Sequence, residues 1–178
     1  MIAFFSGGAK NGKSTLAQTL AKRLAGEGPL YYAATMIPHD DEDLARIARH
    51  LREREGWGFT TLDCGNRVTK RIIDKKINGT FLFDSVTALL ANEMFPPAGP
   101  DLAAPERVKE DLLALADWAE NIVFVSDFIF ADAGRYDGLT QAYRAGLAAA
   151  DRALCARADL VVEVCAGQVY LHKGAMPE

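Results

Sequence analysis

The chain predicts an α/β fold of three layers: a mostly parallel sheet, helices on both of its faces, and an antiparallel strand at the edge. Three observations predict it. Short apolar runs alternate with helical patterns along the chain, which implies right-handed βαβ units. The first unit encloses Gly7-Gly8-Ala9-Lys10-Asn11-Gly12-Lys13-Ser14. That segment fills every fixed position of G-x-x-x-x-G-K-[ST], so the expected fold is of the P-loop NTPase type. Finally, the runs over 160–164 and 169–171 are joined by Ala166-Gly167-Gln168, a hairpin signal that turns the last strand antiparallel.

The elements follow in order. Ile2-Ala3-Phe4-Phe5 enters the loop as a strand, and Leu16, Leu20 and Leu24 mark the helix leaving it. The turn Gly26-Glu27-Gly28 precedes a second strand over 29–35. The acidic stretch Asp40-Asp41-Glu42-Asp43 suits a helix N-terminus. That helix is expected to run to about Glu55, with Leu44, Ile47 and Leu51 as its apolar face, and Gly56-Trp57-Gly58 ends it. A short strand over 59–64 comes next. Val68, Ile72, Ile73 and Ile77 predict a helix whose basic residues Arg67, Lys70, Arg71, Lys75 and Lys76 form a solvated face. Thr80-Phe81-Leu82-Phe83-Asp84 is an apolar strand ending in a carboxylate. Leu89, Leu90 and Met94 indicate a further helix, and Pro96-Pro97-Ala98-Gly99-Pro100 an exposed loop. A helix over 105–120, a strand over 122–126 and an alanine-rich helix over 139–157 lead to the closing hairpin.

At 178 residues the chain is expected to form one domain, 1–178. A formal charge of −4 speaks against binding nucleic acid by bulk electrostatics. No apolar run approaches the roughly 20 residues of a membrane span. The N-terminus enters a strand without a basic stretch, so no signal peptide and a cytoplasmic location are expected. Cys64, Cys155 and Cys165 fit neither a zinc site nor a disulfide framework and read as buried free thiols.

The loop carries the first chemistry. Its backbone amides, over Gly7, Gly8, Ala9, Lys10, Asn11 and Gly12 and on into Thr15, turn toward an anionic phosphate chain at a helix N-terminus. Lys13 is expected to reach the β- and γ-phosphates and Ser14 to hold Mg²⁺ through its hydroxyl. A second carboxylate is needed for Mg²⁺, and Asp84 at a strand end is the first choice, with helix capping as its alternative role. Asp127, ending Phe124-Val125-Ser126-Asp127, is a rival. On the second helix Arg46, His50 and Arg54 lie at i, i+4 and i+8, sharing one polar face. A neutral imidazole there is a nucleophile toward phosphorus, and the arginines would stabilise phosphoryl oxygens. His39 and His172 have no comparable setting.

Taken together these motifs resemble the bifunctional adenosylcobinamide kinase / adenosylcobinamide-phosphate guanylyltransferase family of cobalamin biosynthesis. The loop at the start of the chain is similar to that family's G-G-A-R-S-G-K-S. Tyr32-Ala33-Ala34-Thr35, then Asp41-Glu42, Arg46-Ile47, His50 and Arg54, resemble Y-I-A-T followed by D-x-E-M-x-x-R-I-x-x-H and an arginine four residues on. Phe83-Asp84-Ser85-Val86-Thr87 with Asn92 and Phe95 resembles D-C-x-T-x-x-x-x-N-x-x-F. The chain departs from the family at N-E-V-G, here Asp127-Phe128-Ile129-Phe130. It departs again over 140–152, where Arg144 remains and Asp151 replaces an asparagine.

The resemblance implies two activities: phosphorylation of the aminopropanol hydroxyl of the corrinoid by ATP or GTP, and transfer of GMP from GTP through a covalent histidine. His50 matches that histidine, and Thr35 falls with the loop among the implied nucleotide-binding residues. The resemblance also implies a homotrimer. Two other readings stay open: a small-molecule kinase without a guanylyl intermediate, and a non-catalytic nucleotide-binding module.

Overall fold

The computed structural model describes residues 1–38, 40–130 and 132–177, with the side chains of residues 42, 46 and 53 outside the description. The strands are β1 (Ile2–Gly7), β2 (Leu30–Ala34), β3 (Thr60–Asp63), β4 (Thr80–Asp84), β5 (Asn121–Asp127), β6 (Leu160–Cys165) and β7 (Gln168–Lys173). The helices are α1 (Lys13–Ala25), α2 (Asp41–Glu53), α3 (Val68–Ile72), α4 (Val86–Met94), α5 (Ala104–Trp118) and α6 (Gly138–Arg157). The strands form one sheet in the order β3-β2-β4-β5-β1-β6-β7. All neighbours run parallel except β6 and β7, so the antiparallel edge strand stands as the hairpin signal predicts. Ala166 (φ 49) and Gly167 (φ 77) make the two-residue turn, both in the left-handed region that such hairpins require.

Alternation along the central strands divides two cores. Phe4, Phe81, Phe83, Ile122 and Phe124 face α3, α4, α5 and α6. Ala3, Phe5, Leu82, Val123 and Val125 face α1 through Ala17, Leu20 and Ala21. The carboxyl ends of β1, β4 and β5, buried on both faces, thus become a rigid shelf at one edge of the sheet.

Three sequence expectations need correction. α3 stops at Ile72 because Ile77 N–H bonds the Ile72 carbonyl and Lys76 turns to φ 57. α2 begins as expected, with the Asp40 carboxylate accepting from Asp43 N–H at 2.8 Å. Its apolar face, however, is not a core face: Leu44 is 53% exposed and Leu51 49%. None of the described α2 residues belongs to either core. All three cysteines are free, but only Cys64 is buried; Cys165 is exposed.

Candidate functional site

β1 delivers the chain into the loop and α1 receives it. Gly7 has φ 151, and a Cβ there would strike the Val164 carbonyl and the Asn11 amide, so the position requires glycine. Asn11 bridges the loop to the neighbouring strand, donating to the Val164 carbonyl and accepting from Lys13 N–H. Gly12, at φ 90, precedes α1 and has no side chain with which to cap it. The first turn of α1 therefore presents amides and the positive end of the helix dipole to an anion.

Lys13 is 6% exposed. Its Nζ lies 2.6 Å from Asp127 Oδ1 and donates to the Gly8 carbonyl at 3.1 Å. Asp127, the rival metal carboxylate, is thereby the lysine's counter-ion. Parallel pairing of Gly7 with Asp127, and a bond from Phe128 N–H to the Gly7 carbonyl, fix the two strand ends side by side.

A cavity of about 400 Å³ opens over the loop. It brings together Ala9, Lys10, Asn11, Gly12, Lys13, Ser14 and Thr15 with Asp84, Asp127, His50 and Arg54. Elements distant in sequence (the first helix, the end of β4 and the last turns of α2) thus meet at one volume. Gly7 and Gly8 lie behind this wall, contributing strand geometry and the carbonyl that holds Lys13. Thr35 does not face the cavity. It is fully buried, its hydroxyl donating to the Ser85 carbonyl at 2.9 Å and accepting from Ser85 N–H at 2.6 Å. Its place is to fix the chain after Asp84, not to touch a nucleotide. The Arg46 side chain and His39 lie outside the described residues.

Asp84 is set deep in the site. Burial pushes its carboxyl above the usual carboxylate range, opposed by the charge of His50, by a hydrogen bond from Tyr32 and by Lys13. The Tyr32 hydroxyl donates to Asp84 Oδ2 at 3.2 Å. Burial and the Asp84 charge both hold the Tyr32 phenol well above its ordinary range. The Arg54 guanidinium stacks 3.4 Å over the centre of the Tyr32 ring. Arg54 is 7% exposed, and its Nη1 is buried without a hydrogen-bond partner. A buried guanidinium nitrogen in this condition is costly unless an anion meets it. Ser85 Oγ caps α4, accepting from Ala88 N–H at 3.2 Å, so the capping role falls to Ser85 and leaves Asp84 free of it.

The donor set suits Mg²⁺. Ser14 and Asp84 both line the cavity, and no cluster of three or more His, Cys, Asp or Glu occurs among the described residues. One carboxylate and one hydroxyl, completed by substrate phosphates and waters, is how Mg²⁺ is commonly bound, and a dedicated all-protein cage is not.

Sequence reasoning misses three cavity residues: Tyr32, Gln18 and Arg49. Gln18 carries a signal that finds it, since it lies at i+4 from Ser14 on the same face of α1. Tyr32 reads as an ordinary core residue of a strand, and its role depends on Arg54 and Asp84, each far away in sequence.

Among solved structures, a phosphate-loop-bearing chain described as an ATPase domain is similar to this one, with a TM-score of 0.53 and 11% identity over 91% of this chain and 68% of that one. Flagellar accessory protein FlaH from Methanocaldococcus jannaschii has a TM-score of 0.47 and 13% identity over 98% of this chain and 79% of that one. A KaiC-like protein from Pyrococcus horikoshii OT3 has a TM-score of 0.46 and 15% identity over 99% of this chain and 83% of that one. These identities bear on the fold alone, which is that of a P-loop NTPase. No curated protein sequence matches the chain. The pattern that defines a family of transferases of cobalamin biosynthesis matches residues 3–171, nearly the whole length. The chain belongs to the cobinamide kinase / cobinamide phosphate guanyltransferase family.

Proposed function

We propose that this protein phosphorylates adenosylcobinamide with ATP or GTP and transfers GMP from GTP to adenosylcobinamide phosphate through a histidine intermediate. The observation that carries this reading is the meeting of His50 with Lys13, Ser14, Asp84 and Arg54 at one cavity.

In the kinase step the loop amides and Lys13 bind the triphosphate, with Lys13 exchanging Asp127 for phosphate oxygens. The hydroxyl oxygen of the acceptor bonds the γ-phosphorus, the bond to the β-phosphate bridging oxygen breaks, and the hydroxyl proton leaves to water. Bound through Ser14 and Asp84, Mg²⁺ supplies neutralisation of phosphate charge. In the guanylyl step a ring nitrogen of His50 attacks the α-phosphorus of GTP and pyrophosphate leaves. A phosphate oxygen of the acceptor then attacks the same phosphorus, the P–N bond breaks and the imidazole is regenerated. Arg54, with its unpaired Nη1, stabilises the charge that gathers on the α-phosphate oxygens. Arg46 takes the same part in this reading. The resemblance further implies assembly as a homotrimer, for which the exposed leucines of α2 offer apolar surface.

The test is intact mass after incubation with GTP and Mg²⁺, with His50→Ala in parallel. A GMP-sized, acid-labile gain on the unmodified chain alone is the expected result. A gain on both would move the nucleophile elsewhere. No gain on either would leave the simpler kinase, read out by phosphoryl transfer from labelled ATP.

A further inference from the structure

Beneath the loop lies a chain of buried polar groups with no part in the chemistry above. Asp151 of α6 is 5% exposed, and its Oδ2 accepts from Ser126 Oγ at 3.0 Å. Ser126 is fully buried in β5, and its Oγ is 3.4 Å from Thr87 Oγ1 of α4. Thr87 Oγ1 in turn accepts from Asp127 N–H at 2.8 Å. The direction of these bonds follows from their ends. Asp127 N–H can only donate, so Thr87 accepts and its own proton turns to Ser126. Ser126 gives its proton to Asp151, whose carboxylate can only accept. Three elements, α4, β5 and α6, are thus tied by one run of donors ending on one carboxylate.

We propose that Asp151 is a positioning residue for the phosphate loop: through Ser126 and Thr87 it anchors the backbone of Asp127, the residue that holds Lys13. This rests on the reading that Lys13 binds the triphosphate. Asp151 is an expensive anchor. Its Oδ1 has no hydrogen-bond partner, and burial pushes the carboxyl up to about 7. Among the described residues the titratable groups acting on it or feeling it are Asp127 on β5 and Tyr143 and Cys155 on its own helix. A buried carboxyl with one satisfied oxygen destabilises its surroundings, so its use lies in what the satisfied oxygen holds. An apolar residue of similar volume would pack as well and would leave Ser126 without its acceptor.

The experiment titrates the full chain with GTP and Mg²⁺ by calorimetry, comparing the wild type with Asp151→Asn, Asp151→Leu and Ser126→Ala. Thermal melting of each checks the fold. The amide oxygen of the introduced asparagine can accept from Ser126, so Asp151→Asn should bind GTP within about twofold of the wild type. Asp151→Leu and Ser126→Ala should each weaken binding about tenfold, the loss of one charge-assisted hydrogen bond. Asp151→Leu binding like the wild type overturns the proposal, as does Asp151→Asn failing as badly as Asp151→Leu while still folded. If Asp151→Leu does not fold, Ser126→Ala decides in the same way. Absence of GTP binding by the wild type overturns the reading of Lys13 itself, and so is distinct from these outcomes.

Discussion

Replacing Asp151 by asparagine should make the protein more stable, by an amount that depends on pH in a defined way. The folded chain carries the Asp151 carboxyl from its ordinary 3.8 up to about 7, chiefly through burial. A folded value above the unfolded one means that the native state holds this proton more tightly. The associated stability is fully present below pH 3.8, falls as pH rises, and is lost above about pH 7. Between those limits the slope is about 1.4 kcal/mol per pH unit, for a total of about 4 kcal/mol. The asparagine of the variant cannot ionise, so it escapes the loss, and every other titrating group cancels in the comparison. The advantage of Asp151→Asn over the wild type should therefore grow by about 4 kcal/mol from pH 4 to pH 8. For a chain of this size that corresponds to about 10 °C in Tm. Urea unfolding at half-unit steps of pH measures the difference directly, with a constant m-value as the check on two-state behaviour. The new NH₂ group adds an offset that does not vary with pH, so the slope is the quantity to read. A difference that stays flat from pH 4 to pH 8 would refute a buried, titrating carboxyl.

Other substitutions probe the rest of the site. Tyr32→Phe removes the hydrogen bond that opposes the burial of Asp84, so the Asp84 carboxyl should rise further. The acid limb of Mg²⁺-dependent turnover should then move to higher pH, and movement the other way would contradict this role. Arg54→Lys keeps the charge but loses the planar stack on Tyr32. It should cost about 1 kcal/mol in thermal unfolding and slow formation of the GMP adduct about tenfold or more; adduct formation at the wild-type rate would remove Arg54 from the guanylyl step. Gly7→Ala forces a Cβ into the Val164 carbonyl at φ 151. About 2–4 kcal/mol of stability should be lost from strain and overlap together, and an unchanged Tm would mean that the loop has another conformation available.

Much of the sheet is readable in the chain because its signals are local. Phe81 to Phe83 and Ile122 to Val125 are buried on both faces, and such strands appear as continuous apolar runs. The phosphate loop is legible for the same reason, its glycines being required by backbone angles within a few residues. α2 shows the limit. Leu44, Ile47 and Leu51 recur at helical spacing, yet spacing says only that they share a face. Whether that face meets a core depends on where the rest of the fold leaves room. The Lys13–Asp127 pair, the Tyr32–Arg54 stack and the Asp151–Ser126 bond all join residues that only the sheet order brings together. Thr35 defeats a motif-based assignment because it stands between a cavity-lining strand and the loop that follows, and period 2 turns its side chain inward to Ser85.

The site is divided between a rigid part and a lightly packed one, and the division follows the proposed chemistry. Lys13, Asp84 and Asp127 sit at the ends of elements buried in both cores, where a displacement would have to repack the sheet. His50 rides on α2, which contributes none of its described residues to those cores. Phosphoryl transfer depends on fixed positioning of the triphosphate, which the sheet supplies. A histidine that first attacks phosphorus and then presents a bound GMP to a second substrate must occupy two positions in one cycle. An element with few buried apolar contacts can move at low cost. Arg54 joins the two parts: it closes α2, and its guanidinium is stacked on a tyrosine of β2. In this reading the stack on Tyr32 is the hinge point about which His50 moves, while Lys13 and Asp84 stay where the sheet puts them.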